Sequence, residues 1–349
     1  MYIVYHRQRS TVLIMTNANS KLISLIIAPM ITGSVSFAAS LTLIISIMRS
    51  NLKLSNTYRR IVFALSIFDL LQSLSQLASS LPMPAGSIWG AIGNDVSCDL
   101  QGFLTVAGFT GSILYSLSLT IYFLLVVKFN LPEAQIKKRY EPFLHAVPIL
   151  LSCSASILTY ATHNYNPTGV ICWIAPEPGV SKLNANILKW VVIGAPTYIV
   201  FSLNCIMLGI MWWTVSSQVK KSNAYRGSWA TSGPTTSNEG NKILKWFRRG
   251  VFSNKKAANE IPTNPLAARL SRPSPASIHR MKQISYRALG YVVGFSLTYV
   301  FTMIYRIIQT STDDVPFWLV FLSRLLFPLQ GNKCLCTYLS IYQELKLTH

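Results

Sequence analysis

Residues 98–127 read CDLQGFLTVAGFTGSILYSLSLTIYFLLVV, a run with a single charge, Asp99. A bilayer core of roughly 30 Å needs about 20 mainly apolar residues per helical crossing, so this run has the length of a membrane helix. It is too long and too uniformly apolar for the short alternating segments of a membrane β-barrel. Working outward, six further runs have the same character: Leu22–Met48, Tyr58–Leu81, Phe143–Ala161, Ile187–Val215, Gln283–Gln309 and Pro316–Ile341. The last is the weakest, because Arg324, Gln330 and Lys333 interrupt it. The sequence therefore predicts an all-α membrane protein, a bundle of seven transmembrane helices.

Composition agrees. Of 349 residues, 51% are hydrophobic and only 12% charged, and mean hydropathy is +0.38. A soluble domain carries about 25% charged residues. The net charge of +20 would suggest nucleic acid in a soluble protein, but its distribution gives another reading. Arg49, Lys53, Arg59 and Arg60 fall in the first connection, and Lys128, Lys137, Lys138 and Arg139 in the second, against Glu133 and Glu141. The long connection, about Ser216–Lys282, holds thirteen Lys or Arg against Glu239 and Glu260. The alternate connections are nearly bare of cations: Asp95 in one, Glu177 and Lys182 in the next, Asp313 and Asp314 in the last. Cytoplasmic loops carry the positive excess. This places the N-terminus outside and the C-terminus inside, and sets nucleic-acid binding aside.

Residues 1–21 are expected to form a short extracellular tail without a cleaved signal peptide, so the first crossing serves as its own insertion signal. The seven-helix domain covers 22–341, and 342–349 form a short cytoplasmic tail. No Asn-x-Ser/Thr sequon with a permitted middle residue occurs, so no N-glycosylation is expected. Within the basic connection at 216–282, Ser222–Ala276 is rich in Ser, Asn, Pro, Gly and cations, and cannot bury enough apolar area to order itself. There, Ile243–Phe252 suits either a short amphipathic helix on an anionic leaflet or a solvated basic loop. Ser271 and Ser274 stand beside arginines, so phosphate there would cancel local positive charge and weaken attraction to anionic lipid.

Six cysteines divide by position. Cys98 and Cys172 both fall on the outer side, in an oxidising compartment, and are expected to form a disulfide. Cys153 and Cys205 read as buried small apolar residues, and Cys334 and Cys336 are palmitoylation candidates. Charges inside the crossings are costly and are usually paired or functional. At 1.5 Å per residue, Asp69 and Arg324 both come near mid-membrane. They are expected to pair, either as a lock or as a switch. Arg306 and Lys189 lie nearer the outer ends; they either snorkel to the interface or turn inwards beside Arg324 and make a cationic pocket. Arg306, Lys189, Arg324 and Tyr115 are the candidate pocket residues.

No metal pattern, phosphate loop or nucleophile elbow appears, so neither an enzyme nor a cofactor is expected. His145 and His163 stand alone and read as structural. Lys333 would suit a retinal Schiff base, but it follows the Pro-Leu-Gln-Gly run, where a pocket should have closed.

Cys98 followed by Gln101-Gly102-Phe103 and Tyr115-Ser116-Leu117-Ser118-Leu119 resembles the slime-mould cyclic-AMP receptor-like group of G-protein-coupled receptors. Cys172-Trp173-Ile174, then Pro196 and Asn204, then Pro328-Leu329-Gln330-Gly331-Asn332 resemble the same group. The last motif (Pro328, Gln330, Gly331, Asn332) is also similar to the secretin-receptor pattern. The resemblance spans about residues 40–345 without the basic loop. The rhodopsin-like Asp/Glu-Arg-Tyr and Asn-Pro-x-x-Tyr motifs are missing, although Phe68-Asp69-Leu70-Leu71 echoes that class. The resemblance implies a plasma-membrane receptor that passes an extracellular ligand signal to a heterotrimeric G protein. Arg59, Arg60, Lys128, Lys137, Arg139, Arg280 and Lys282 would meet that acidic partner. A transporter or channel is the competing class, but it needs a relay of acids and broken helices in both halves.

Overall fold

Successive helices pack around the run that opened the reading. In a computed structural model, which describes residues 2–51, 53–168, 170–176, 182–231, 290, 294, 298–308 and 316–329, the described residues are mostly helical, at 80%. α1 spans Tyr2–Arg49, α2 Thr57–Ala78, α3 Asp95–Val127, α4 Glu133–Arg139 and α5 Glu141–Ala161. A hairpin of β1 (Tyr165–Pro167) and β2 (Cys172–Ile174) follows. Then α6 (Lys182–Lys189) runs through a π-helical turn, Trp190–Gly194, into α7 (Ala195–Thr231). α8 (Thr298–Ile308) and α9 (Phe317–Leu326) are shorter, and α9 ends in a 3₁₀ turn at Phe327–Leu329. Among the described residues, five helical stretches are long and apolar enough to cross a membrane: Ser20–Arg49, Thr57–Ala78, Asp95–Val127, Glu141–Ala161 and Ala185–Thr214. The sixth and seventh expected crossings are described only in part, as α8 and α9.

Burial is inverted relative to a water-soluble protein. Trp213 is 75% exposed and Leu150 67%, while Ser112, Ser116, Asp69, Gln72 and Asn204 are buried. Apolar surface outside and polar groups inside is the arrangement a lipid solvent favours. α3 is the central helix, packed against α2, α5 and α7, while α1 covers α2 and α9.

Local chemistry explains the boundaries. α3 begins with a capping box: Asn94 accepts from the Ser97 amide at 2.9 Å, and Ser97 Oγ accepts from the Asn94 amide at 2.8 Å. α2 has no side-chain cap of its own. Instead the Thr57 amide donates to Glu133 Oε1 at 2.6 Å, a carboxylate from another element at a helix N-terminus. α2 and α3 touch at Gly108, where a Cβ would lie 2.6 Å from the Gln72 amide nitrogen and 2.9 Å from its Cα. Backbone cannot yield as a side chain can, so Gly108→Ala is expected to destabilise by about 1–3 kcal/mol. A thermal melt in detergent checks this, and a melt equal to wild type would mean that the two helices are less closely apposed.

Two helices run past the expected ends of their crossings. The expected tail at 1–21 is helical from Tyr2, continuous with the first crossing. With a long apolar helix as nucleus, extension costs little per residue, and no Gly or Pro precedes Pro29. Likewise the fifth crossing continues past Val215 to Thr231, into the expected disordered connection; the helix runs through Gly227, and the stronger breaker, Gly233-Pro234, comes later. Ile243–Phe252, Ser271, Ser274, Arg280, Lys282, Gln330, Gly331, Asn332, Lys333, Cys334 and Cys336 lie outside the described residues.

Candidate ligand-binding cavity

The Cys98–Cys172 disulfide is present, with Cα atoms 5.3 Å apart across 74 residues of sequence. Gln101 reinforces it. Its Oε1 accepts from the Cys172 amide at 3.0 Å, and its Nε2 donates to the carbonyls of Ser75 and Ser79 at 3.0 and 2.6 Å. One α3 side chain thus holds the hairpin to the C-terminal end of α2. Tyr165 packs over Gly102, where any side chain would strike its ring, and its hydroxyl donates to the Ser156 carbonyl at 3.0 Å. Burial pushes this phenol well above the usual tyrosine range.

Beside the hairpin lies a cavity of about 700 Å³, within the usual range for small-molecule sites. Its walls come from α2, α3, β2, α6, the π turn, α7, α8 and α9. An aromatic floor closes it towards the bundle centre. Phe109 lies 6.3 Å from Trp173, 5.8 Å from Tyr299 and 5.2 Å from Phe327, centroid to centroid. The π turn supplies Trp190, Ile193 and Gly194 to the wall, and Trp190 stacks on Tyr198 at 6.0 Å. Single π turns concentrate at functional positions. Nothing in the apolar run Ile187–Val215 announced it.

Three of the four expected pocket residues meet here. Lys189, Arg306 and Arg324 all line the cavity. Around them Gln76 Nε2, Trp173 Nε1 and Thr302 Oγ1 are buried without a hydrogen-bond partner. The described lining contains no Asp, Glu, His or Cys. Its polar side chains are cations, amides, hydroxyls and indole N–H groups.

Tyr115 is the exception. It is fully buried, 5.4 Å from the Phe68 ring, with its hydroxyl 3.1 Å from His145 Nδ1. Six residues beyond Phe109 on α3 means a turn of about 240°, onto the face towards α2 and α5. Of the expected direct or water-bridged Asp69–Arg324 pair, the direct form is not made. Asp69 accepts from Ser112 Oγ at 2.6 Å, whereas Arg324 faces the cavity near Tyr305 and Arg306. No ion pair joins the two among the described residues. Depth along the helices brought them to one level, but the faces differ. Asp69→Asn and Arg324→Gln are accordingly expected to add within about 0.5 kcal/mol in a double-mutant cycle; coupling above that in thermal unfolding would restore the pair.

At the other end of the bundle, two expected partner contacts are used within the chain. Arg59 donates to Ser50 Oγ and to the Lys53 carbonyl. Arg60 grips both carboxylate oxygens of Glu141 and donates to the Leu54 and Ser55 carbonyls at 2.5 and 3.0 Å. Thr57 Oγ1 donates to Glu141 at 2.7 Å, and Tyr122 donates to Glu133 at 3.1 Å. The result is a polar latch joining α2, α3, α4 and α5. Both acids appear in the sequence only as minor offsets in a basic connection, so the latch was missed. Lys128, Lys137 and Arg139 are exposed, and Pro328 is buried in the 3₁₀ turn.

No family model matches this sequence, and no curated protein matches it either.

Proposed function

We propose that the chain is a seven-helix cell-surface receptor of the G-protein-coupled kind, with its N-terminus outside, its basic connections in the cytosol, and the plasma membrane as its location. The cavity beside the disulfide-held hairpin carries this reading. A disulfide calls for an oxidising compartment, and the sparse cations of the connections at that end call for the outside. These two arguments are independent and agree, so the cavity faces the extracellular solution. A ligand there would touch α3, α7, α8 and α9 together, and differential affinity for two packings of those helices would shift their balance. At the cytosolic end, Lys128, Lys137 and Arg139 remain exposed for an acidic surface, while Arg59 and Arg60 hold the latch.

Recruitment of G-protein mimics to the chain in living cells, read by energy transfer without added ligand, tests the proposal. The chain is compared with a deletion of 232–276, which starts beyond the end of α7. Recruitment of at least one G-protein class above a membrane-anchored control is expected. Absence of recruitment for every class, with surface expression intact, would sink the reading.

A further inference from the structure

We infer that the cavity binds a multiply charged small organic anion carrying an aromatic or apolar body. The inference rests on the reading of this cavity as a ligand site and adds the chemical class of the ligand. Lys189 and Arg324 make no hydrogen bond and no ion pair among the described residues. Arg306 is close enough to act electrostatically on both. Like charges gathered in a partly desolvated space repel one another strongly. An arrangement of that kind is relieved by a bound anion of more than one charge.

The second observation is independent of the cations. Gln76 is 1% exposed and Trp173 8%, yet the Gln76 amide nitrogen and the Trp173 indole nitrogen reach no acceptor. Buried donors without a partner are rare in native proteins. Both belong to the cavity lining, and both are N–H donors, suited to oxygen acceptors on a ligand. Thr302 adds a hydroxyl that can also donate. Below them, Phe109, Tyr299 and Phe327 form an apolar floor. Cations and donors at the walls over an aromatic floor describe an anion with a flat or apolar body. A metal or an amine would meet repulsion from Lys189 and Arg324.

The test uses the full chain in nanodiscs of phosphatidylcholine alone, so that no anionic lipid competes. Benzene-1,3,5-tricarboxylate and its neutral triamide are matched probes of one shape. Inorganic pyrophosphate covers the phosphate alternative without an aromatic body. The tricarboxylate at 100 times its Kd is expected to raise Tm by about 5 °C, and the triamide to leave it unchanged. Lys189→Gln and Arg324→Gln should each weaken the tricarboxylate at least about thirtyfold, while Lys128→Gln at the opposite end keeps it. Arg324→Lys should recover part of the loss, which separates charge from folding.

No shift with either anion overturns the inference, as does an equal shift with the triamide. Asp313 and Asp314, outside the described residues, are the competing counter-ions. If the wild type shows no anion shift and D313N/D314N acquires one, those acids fill the role and the inference falls. Anion binding without any G-protein recruitment would keep this inference and sink the receptor reading, and recruitment without anion binding does the reverse.

Discussion

Serine at both Cys98 and Cys172 is expected to lower stability by about 3 kcal/mol. The bond closes 74 residues of sequence, for which loop entropy alone predicts roughly 4 kcal/mol. That figure assumes a free unfolded chain. In lipid, α3 and α5 would stay helical when the bundle opens, because bare backbone is not tolerated there, so less entropy is released. Gln101 and the hairpin hydrogen bonds also survive the substitution. Thermal unfolding in nanodiscs measures the loss, and reductant added to wild type should reproduce it. An unchanged melt in both would show that Gln101 alone anchors the hairpin.

The second large effect lies at the opposite end. Glu141→Ala is expected to cost about 2 kcal/mol, below the 3–5 of a fully buried pair, because Arg60 keeps some contact with solvent. Glu141 accepts from both Arg60 and Thr57, so its loss leaves a guanidinium whose remaining partners are two backbone carbonyls and the Thr57 hydroxyl, none of them charged. Arg60→Gln with Glu141→Gln should be strongly non-additive, by at least about 1 kcal/mol. Simple additivity would mean that the two side chains act separately, and that the latch is held by Glu133 and Thr57.

Much of this was legible in the residues, for reasons that differ by feature. The length and apolarity of residues 98–127 mark a membrane-length helix, because lipid imposes that length on any crossing. The disulfide could be read because only two cysteines share one side. Lys189, Arg306 and Arg324 could be listed as cavity candidates because charge inside an apolar run demands a reason. Facing was harder. Asp69 and Arg324 share a depth, and depth follows from counting residues, but which way each points depends on how the helices are rotated against their neighbours. Tyr115 failed on the same ground, two turns below Phe109 and on another face. The latch was hidden because Glu133 and Glu141 are ordinary acids in a basic connection, until folding brings α2 against them. Helix ends at Tyr2 and Thr231 were missed because polar composition limits burial, not helical hydrogen bonding.

The wide turn at Trp190–Gly194 has a consequence for how such a site changes over generations. An α-helix advances about 100° per residue, and this turn carries more residues than a regular one. Removing one of them would let the helix close into ordinary α geometry with its hydrogen bonds intact, and because a π turn fits one extra residue into about the same sweep, the stretches before and after it would keep their relative facing. Lys189 sits immediately before the turn, and Thr197 and Tyr198 sit after it. A one-residue deletion would therefore leave those three in place and change only what the turn itself presents, at Trp190, Ile193 and Gly194. The shape of this wall is open to change by shortening the chain, with no new side chain introduced anywhere.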